Sequence, residues 1–76
     1  MGLDEKIVEP VKIASELSRF YQEGWNKRGM RVGQWLINNL APINTKAPEI
    51  FYEVNDQEAI KKFISRYVIG ADEDAN

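Results

Sequence analysis

The residues best suited to bind a partner lie between Trp25 and Asn38. Arg31, Gln34 and Asn38 follow one another at offsets of three and four, the spacing that places side chains on one face of a helix. Arginine and glutamine make directional hydrogen bonds, and tryptophan beside arginine is a common composition of interface hot spots. We therefore take Trp25, Arg28, Arg31, Gln34 and Asn38 as a candidate interaction surface.

Each of these residues also has a purely structural interpretation. The three polar residues at helical spacing could form a solvated helix face, or could tie their helix to the Phe51-Tyr52 segment. Tryptophans in a small chain often fill the core. We expect Trp35 to be buried, whereas Trp25, at a helix end beside two cations, could lie in the core or at the surface.

Basic residues cluster in the same part of the chain. The stretch from Arg19 to Gln34 holds four cations and one carboxylate, Glu23, so its local charge is +3. Such a patch could bind phosphates while its aromatic neighbours stack on single-stranded bases, and a small nucleic-acid-binding regulator is our second hypothesis. The whole chain has a net charge of −2, which favours ordinary surface charge as the alternative. The four cations are Arg19, Lys27, Arg28 and Arg31.

The composition excludes the common kinds of catalytic and metal site. The chain has no cysteine and no histidine, so it lacks Ser–His–Asp triads, Cys–His pairs and the usual zinc ligands. Its five glycines form no phosphate-binding loop, and no pair of carboxylates, lysines or tyrosines has the spacing of an acid–base site. The sequence therefore predicts no catalytic residue, no metal and no cofactor, and we interpret the protein as a non-enzyme.

Length and composition predict one small globular domain. Of the 76 residues, 43% are hydrophobic and 29% are charged, which is typical of a folded chain. A core of this size is marginal, and without cysteine no disulfide can stabilise it. We therefore expect stabilisation by a partner, most simply a second copy in a homodimer. The acidic start is unlike a signal peptide and no apolar run spans a membrane, so we expect a cytoplasmic protein.

Apolar residues at offsets of three and four predict the first two helices. The first runs from about Pro10, which suits the first helical position, to about Asn26. A tight connector at Lys27 leads to the second helix, from about Met30 to Leu40. Gly33 lies inside that second helix, where a glycine costs about 1 kcal/mol relative to alanine. Close helix packing would account for it.

The third predicted helix has the clearest signals in the chain. Asn55 is a good N-cap, with Glu58 at the capping-box distance, and Gly70 fits a left-handed C-terminal cap. The apolar segment from Glu49 to Val54 is compatible with one helical turn or with an extended arm. We expect Phe51 and Tyr52 within this segment to seal the core rather than to stand out as an exposed recognition arm.

Together these elements predict an all-α fold, a compact bundle of three helices with a short apolar arm between the second and the third. Residues 1–70 form the single domain, and residues 71–76, which include three acids, form a disordered tail. No internal repeat is present in the sequence.

One part of the sequence resembles a known group of proteins. The stretch RVGQWLINNL, followed by PEIFYEVND and a final amphipathic helix, is similar to a loose group of small uncharacterised bacterial and phage proteins. These share an Arg-x-Gly-Gln…Asn helix and a later Phe-Tyr segment, and the resemblance covers about Tyr21 to Val68. It implies a phage or mobile-element setting and gives no catalytic residue. Our first hypothesis is therefore a non-enzymatic accessory protein that acts by protein–protein binding.

Overall fold

The computed structural model describes residues 6–42 and 44–70, and the fold over these residues is all-α, as predicted. The three predicted helices are all present, and the segment between the second and the third forms a short helix of its own. The predicted acidic tail, residues 71–76, lies outside the described residues. The elements in chain order are α1 (Pro10–Gln22), a 3-10 turn (Trp25–Arg28), α2 (Val32–Asn39), α3 (Pro48–Phe51) and α4 (Asp56–Tyr67).

Helix α1 begins at Pro10, as predicted, but ends at Gln22 instead of Asn26. The cause is Gly24, whose backbone is left-handed (φ 76°), a conformation that a right-handed helix cannot contain. The helix buries Ile13 and Phe20 and leaves its remaining faces to solvent or partial contact. It therefore covers one side of the core and delivers the chain to the connector.

The connector between α1 and α2 is a single 3-10 turn bounded by two left-handed glycines. Gly24 precedes it and Gly29 (φ 91°) follows it. The Met30 N–H donates to the Trp25 carbonyl at 3.1 Å, which closes the turn. The tight connector predicted at Lys27 therefore begins two residues earlier, because Trp25 belongs to the turn and not to α1.

Helix α2 is the central helix of the fold and packs against α1, α3 and α4. It spans Val32–Asn39, slightly shorter than the predicted range of 30–40. Five of its eight residues are buried, so most of its circumference faces the core. These residues are Val32, Gly33, Trp35, Leu36 and Ile37.

Gly33 allows the backbone of α3 to approach α2 closely. A Cβ atom at this position would lie only 2.8 Å from the carbonyl carbon of Ile50, even closer to its carbonyl oxygen, and 3.4 Å from the Cβ of Ala59. The neighbouring atoms are mainly backbone, which cannot rotate away as a side chain could. The close packing expected from a glycine inside this helix is confirmed.

The short helix α3 and the start of α4 form one capped unit. The ambiguous segment is a single helical turn, Pro48–Phe51, which buries Ile50 completely. The Asn55 side chain accepts a hydrogen bond from the Glu58 N–H at 3.0 Å, so the predicted N-cap is confirmed. The reciprocal bond of the capping box comes from Glu53 instead, whose carboxylate accepts the Asn55 N–H at 3.1 Å.

The end of α4 differs from the prediction. The helix ends at Tyr67, and Val68 is extended and pairs with Val8 in an isolated parallel bridge. The Val8 N–H donates to the Tyr67 carbonyl at 2.8 Å, and the Ile69 N–H donates to the Val8 carbonyl at 2.8 Å. Gly70 is left-handed (φ 85°) but lies beyond this bridge, so its predicted role as the helix cap is wrong.

The bridge joins the two ends of the described chain and closes the core. Val8 and Val68 are both buried there, next to Tyr67. No helix within residues 6–42 and 44–70 has the length and hydrophobicity that crossing a lipid bilayer requires.

Candidate interaction surface

The 3-10 turn places Arg28 directly over Trp25. Side chains three residues apart eclipse one another in a 3-10 helix, because it has three residues per turn. The guanidinium carbon of Arg28 lies 4.7 Å from the centre of the Trp25 ring, a cation–π contact. The Trp25 Nε1–H donates to the Glu23 carboxylate at 2.8 Å, which fixes the orientation of the ring.

Trp25 lies at the edge of the core, between the two environments considered for it, the core and the surface. It is half-buried, and its ring centre lies 6.0 Å from that of Trp35. Trp35 is only 7% exposed and packs against Phe20 at 5.7 Å, so it fills the core as predicted. The buried Trp35 indole therefore supports Trp25 from within, while Arg28 covers part of the Trp25 ring from outside.

Arg19 is paired with carboxylates, although it was counted as a free cation in the local charge of +3. Its guanidinium lies 3.4 Å from the Glu16 carboxylate and 3.6 Å from that of Glu23, and it also lies 5.6 Å from the Trp35 ring centre. Glu16 falls outside the stretch from which the local charge was counted. Glu16 precedes Arg19 by three residues on a predicted helix, and this spacing alone would have indicated the ion pair.

Three cations of the connector and of the start of α2 have no carboxylate partner in the described chain. Lys27, Arg28 and Arg31 are exposed, and none has a carboxylate partner among the residues that the structure describes. We call Trp25, Lys27, Arg28 and Arg31 the basic-aromatic surface. Its cations are free to pair with acidic groups from outside the chain.

The predicted polar face of α2 is present. Arg31 is the N-cap residue of α2, and Gln34 and Asn38 follow it along the same side. Arg31 and Asn38 are exposed and Gln34 is half-buried. We call these three residues the α2 polar strip. In the described part of the chain none of them hydrogen-bonds to Phe51 or Tyr52, which removes the proposed tie.

A groove of about 340 Å³ lies at the Asn38 end of the α2 polar strip. Ile37 and Asn38 line it from α2, and Pro48, Phe51 and Tyr52 line it from α3 and the residue after it. The expectation that Phe51 and Tyr52 seal the core holds for Phe51, which is half-buried and packs against the core cluster. It is wrong for Tyr52, which is 62% exposed because the helical turn directs Ile50 inward and carries Tyr52 to the rim.

A side-chain hydrogen bond joins α1 to the first residue of α4. The Tyr21 hydroxyl donates to the Asp56 carboxylate at 2.7 Å. Partial burial, followed by the hydrogen bond and the negative charge of Asp56, raises the pKa of Tyr21 to about 12. The phenol therefore stays protonated, and continues to donate to Asp56, to a higher pH than an ordinary tyrosine does.

Glu49 of α3 and Glu53 of the following loop both form ion pairs with α4. Lys62 lies 2.8 Å from the Glu53 carboxylate, and its hydrogen bond, together with the Asn55 N–H, lowers the pKa of Glu53. Arg66 contacts the Glu49 carboxylate. In the described residues no three acidic side chains converge as a metal site would require.

Comparison with known proteins identifies no relative: no protein-family model, curated protein or solved structure matches this chain. The resemblance to small bacterial and phage proteins therefore stays a prediction.

Proposed function

We propose that this protein is a small non-enzymatic binding module that docks an acidic partner protein on the basic-aromatic surface. The main support for this proposal is that Lys27, Arg28 and Arg31 are exposed and have no carboxylate partner in the described chain. In addition, Arg28 stacks on the Trp25 ring. The sequence resemblance suggests a phage or other mobile element as its setting.

Two of the four arginines form ion pairs within the described part of the chain, whereas Arg28 and Arg31 do not. Arg19 is held by Glu16 on α1 and by Glu23 directly after it, and Arg66 contacts Glu49. Arg28 and Arg31 lie beside the connector with their guanidinium donors directed to no acid of the described chain. A planar guanidinium can bind a carboxylate through two parallel hydrogen bonds, so these two side chains suit an acidic partner.

The Trp25–Arg28 contact reduces the entropic cost of binding. A free surface arginine must be immobilised when a partner binds, which costs about 0.5–1.5 kcal/mol for a flexible side chain. Arg28 already lies on the Trp25 ring, and Glu23 already holds that ring. The left-handed glycines permit the turn, and the hydrogen bond from the Met30 N–H to the Trp25 carbonyl closes it within the chain itself.

The arrangement supports a protein partner better than a nucleic acid. The Trp25 ring already contacts Arg28 and Trp35, which leaves less of it for stacking on a base. Helix α2 is buried over most of its circumference, so it is poorly suited to enter a major groove. Because Arg19 is paired with Glu16 and Glu23, the free patch is also too small for extensive phosphate binding.

A direct comparison of two probes tests this proposal. The chain is titrated with a fluorescently labelled hexapeptide of Asp and Glu and with a single-stranded oligonucleotide of equal charge, at the same moderate salt concentration. We expect measurable binding of the peptide and weaker binding of the oligonucleotide. Tighter binding of the oligonucleotide, with a steep dependence on salt, would favour the nucleic-acid hypothesis, and absence of peptide binding would contradict the proposal.

A further inference from the structure

The groove beside Phe51 and Tyr52 has the size and lining of a site for one apolar side chain. Its volume is about 340 Å³, near the lower end of ligand-sized pockets. Ile37, Pro48 and Phe51 supply apolar walls, and the Phe51 and Tyr52 rings meet edge-on with centres 4.9 Å apart. Asn38 adds one amide that can hydrogen-bond to a peptide backbone.

Exposed apolar side chains occur in the groove lining and shortly after it in the sequence. Tyr52 is 62% exposed, and Val54, two residues further along, is 75% exposed. Exposed apolar groups gathered beside a concavity are a mark of protein-binding sites, because water contact with them is unfavourable. A partner side chain that enters the groove would cover part of the Tyr52 ring.

The free charge at the groove is positive. Lys46 is the one charged residue in its lining, is exposed, and has no carboxylate partner among the described residues. The nearby acids Glu49 and Glu53 are engaged by Arg66 and Lys62. The groove therefore favours the same acidic class of partner as the basic-aromatic surface does.

The α2 polar strip runs from the basic-aromatic surface to the groove, and its length can be calculated. Arg31 and Asn38 are seven residues apart, which at about 1.5 Å per residue is about 10 Å along the helix. An extended peptide advances about 3.3 Å per residue. A segment whose acids pair with Arg31 would thus reach the groove about three to four residues later.

We infer that the groove receives an apolar side chain of the acidic partner, located about three to four residues from its acids on an extended segment. This inference rests on the proposed function, since it describes how the same partner continues along α2. Asn38 and Gln34 would contact the backbone between the two anchor points, and Lys46 would contact a further acid.

Three labelled peptides test the inference on the full chain. One carries only an acidic block, the second adds a leucine four residues from the block, and the third adds the leucine directly beside it. Burial of one leucine is expected to tighten the second peptide by about tenfold over the first. The third should bind like the first, because its leucine cannot reach the groove.

Two variants locate the added affinity. Tyr52→Ser removes an exposed wall of the groove and should abolish the gain without weakening the acidic block. Val11→Ser is the matched control, since Val11 is 66% exposed on the first turn of α1, away from the groove, and it should keep the full gain. Amide chemical shifts of Asn38 and Phe51 should change with the second peptide alone.

The possible results separate the inference from the proposed function. If all three peptides fail to bind, both are overturned. If the acidic block binds but the leucine adds nothing in either position, the inference is wrong and the proposed function stands. A gain that survives in Tyr52→Ser, or that is equal for both leucine positions, would also overturn the inference, because the leucine would then bind elsewhere.

Discussion

The guanidinium of Arg28 lies over the indole ring of Trp25, with its central carbon 4.7 Å from the ring centre. This contact follows from the backbone, because a 3-10 turn stacks residues at positions i and i+3. Gly24 and Gly29 make that turn possible by adopting left-handed conformations at its two ends. The connector therefore sets the contact between Trp25 and Arg28, while Trp35 of α2 supports the Trp25 ring from the core.

Replacement of Arg28 by lysine should separate charge from geometry. Arg28→Lys keeps the positive charge but loses the planar group that stacks on Trp25. We expect acidic-peptide affinity to fall about two- to fivefold, the value of an exposed cation–π contact. Peptide titration checks this, with Lys27→Arg as the control that should not weaken binding. Unchanged affinity in Arg28→Lys would mean that the stacking has no role in binding.

Gly33→Ala should destabilise the protein even though alanine favours helices. The new Cβ would clash with the Ile50 backbone, and overpacking of this kind costs about 1–3 kcal/mol or more. The gain in helix propensity is only about 1 kcal/mol and does not offset the clash. Urea denaturation measures the sign, and Ser18→Ala on the exposed face of α1 is the control. A more stable Gly33→Ala variant would show that α3 moves away freely.

The raised pKa of Tyr21 predicts that the protein loses stability at high pH. An unperturbed tyrosine has a pKa of 10.0, and in the fold the pKa of Tyr21 is about 12. Folding thus favours the neutral phenol, so this contribution is fully present below about pH 10 and is lost as the pH rises to about 12. Because Tyr21 is partly exposed, we expect a modest effect.

The matched variant for this prediction is Tyr21→Phe, which cannot ionise and cannot donate to Asp56. The melting temperature of the parent should exceed that of the variant at neutral pH, and the difference should shrink between about pH 10 and pH 12. Asp56→Asn should shift the Tyr21 titration, followed by phenolate absorbance, to lower pH. A constant difference between parent and variant would contradict the assigned pKa.

The expected homodimer stays a prediction with a simple test. Ile7 and Ile69 flank the bridge between Val8 and Val68 and are both exposed. This apolar surface near the joined chain ends is available to a second copy. Light scattering at micromolar concentration should give about twice the 8.8 kDa mass of one chain. A mass of 8.8 kDa would exclude the dimer under these conditions.

The helices were predictable because their signals are local. Apolar spacing located α1, α2 and α4, and Asn55 marked the start of α4 through its side-chain cap. Gly33 was also interpretable, since a glycine inside a helix indicates close approach of another element. The Val8–Val68 bridge was not predictable, because two hydrogen bonds between residues 60 positions apart leave no periodic pattern in the sequence.

The candidate site was predictable only in its composition. The sequence shows which cations are near Trp25, but not that Arg19 is neutralised while Arg28 is stacked. Glycines at positions 24 and 29 were the available signal for the turn, and they indicate a boundary without specifying a 3-10 geometry. The groove depends on the packing of α3 against α2, which no local pattern encodes.

The most direct test of the central claim is the affinity of the double variant Arg28→Ala/Arg31→Ala for the labelled acidic peptide, recorded together with its melting temperature. Both side chains are exposed, so the free energy of unfolding should change by no more than about 0.5 kcal/mol per site. The control is Lys12→Ala, which removes an exposed cation from the far end of α1.

We expect the double variant to bind the peptide at least about tenfold more weakly, since an interface arginine contributes about 2 kcal/mol or more. It should melt like the parent, and Lys12→Ala should bind like the parent. If the double variant keeps the affinity of the parent, or if Lys12→Ala weakens binding as much, the basic-aromatic surface is not the site at which an acidic partner docks.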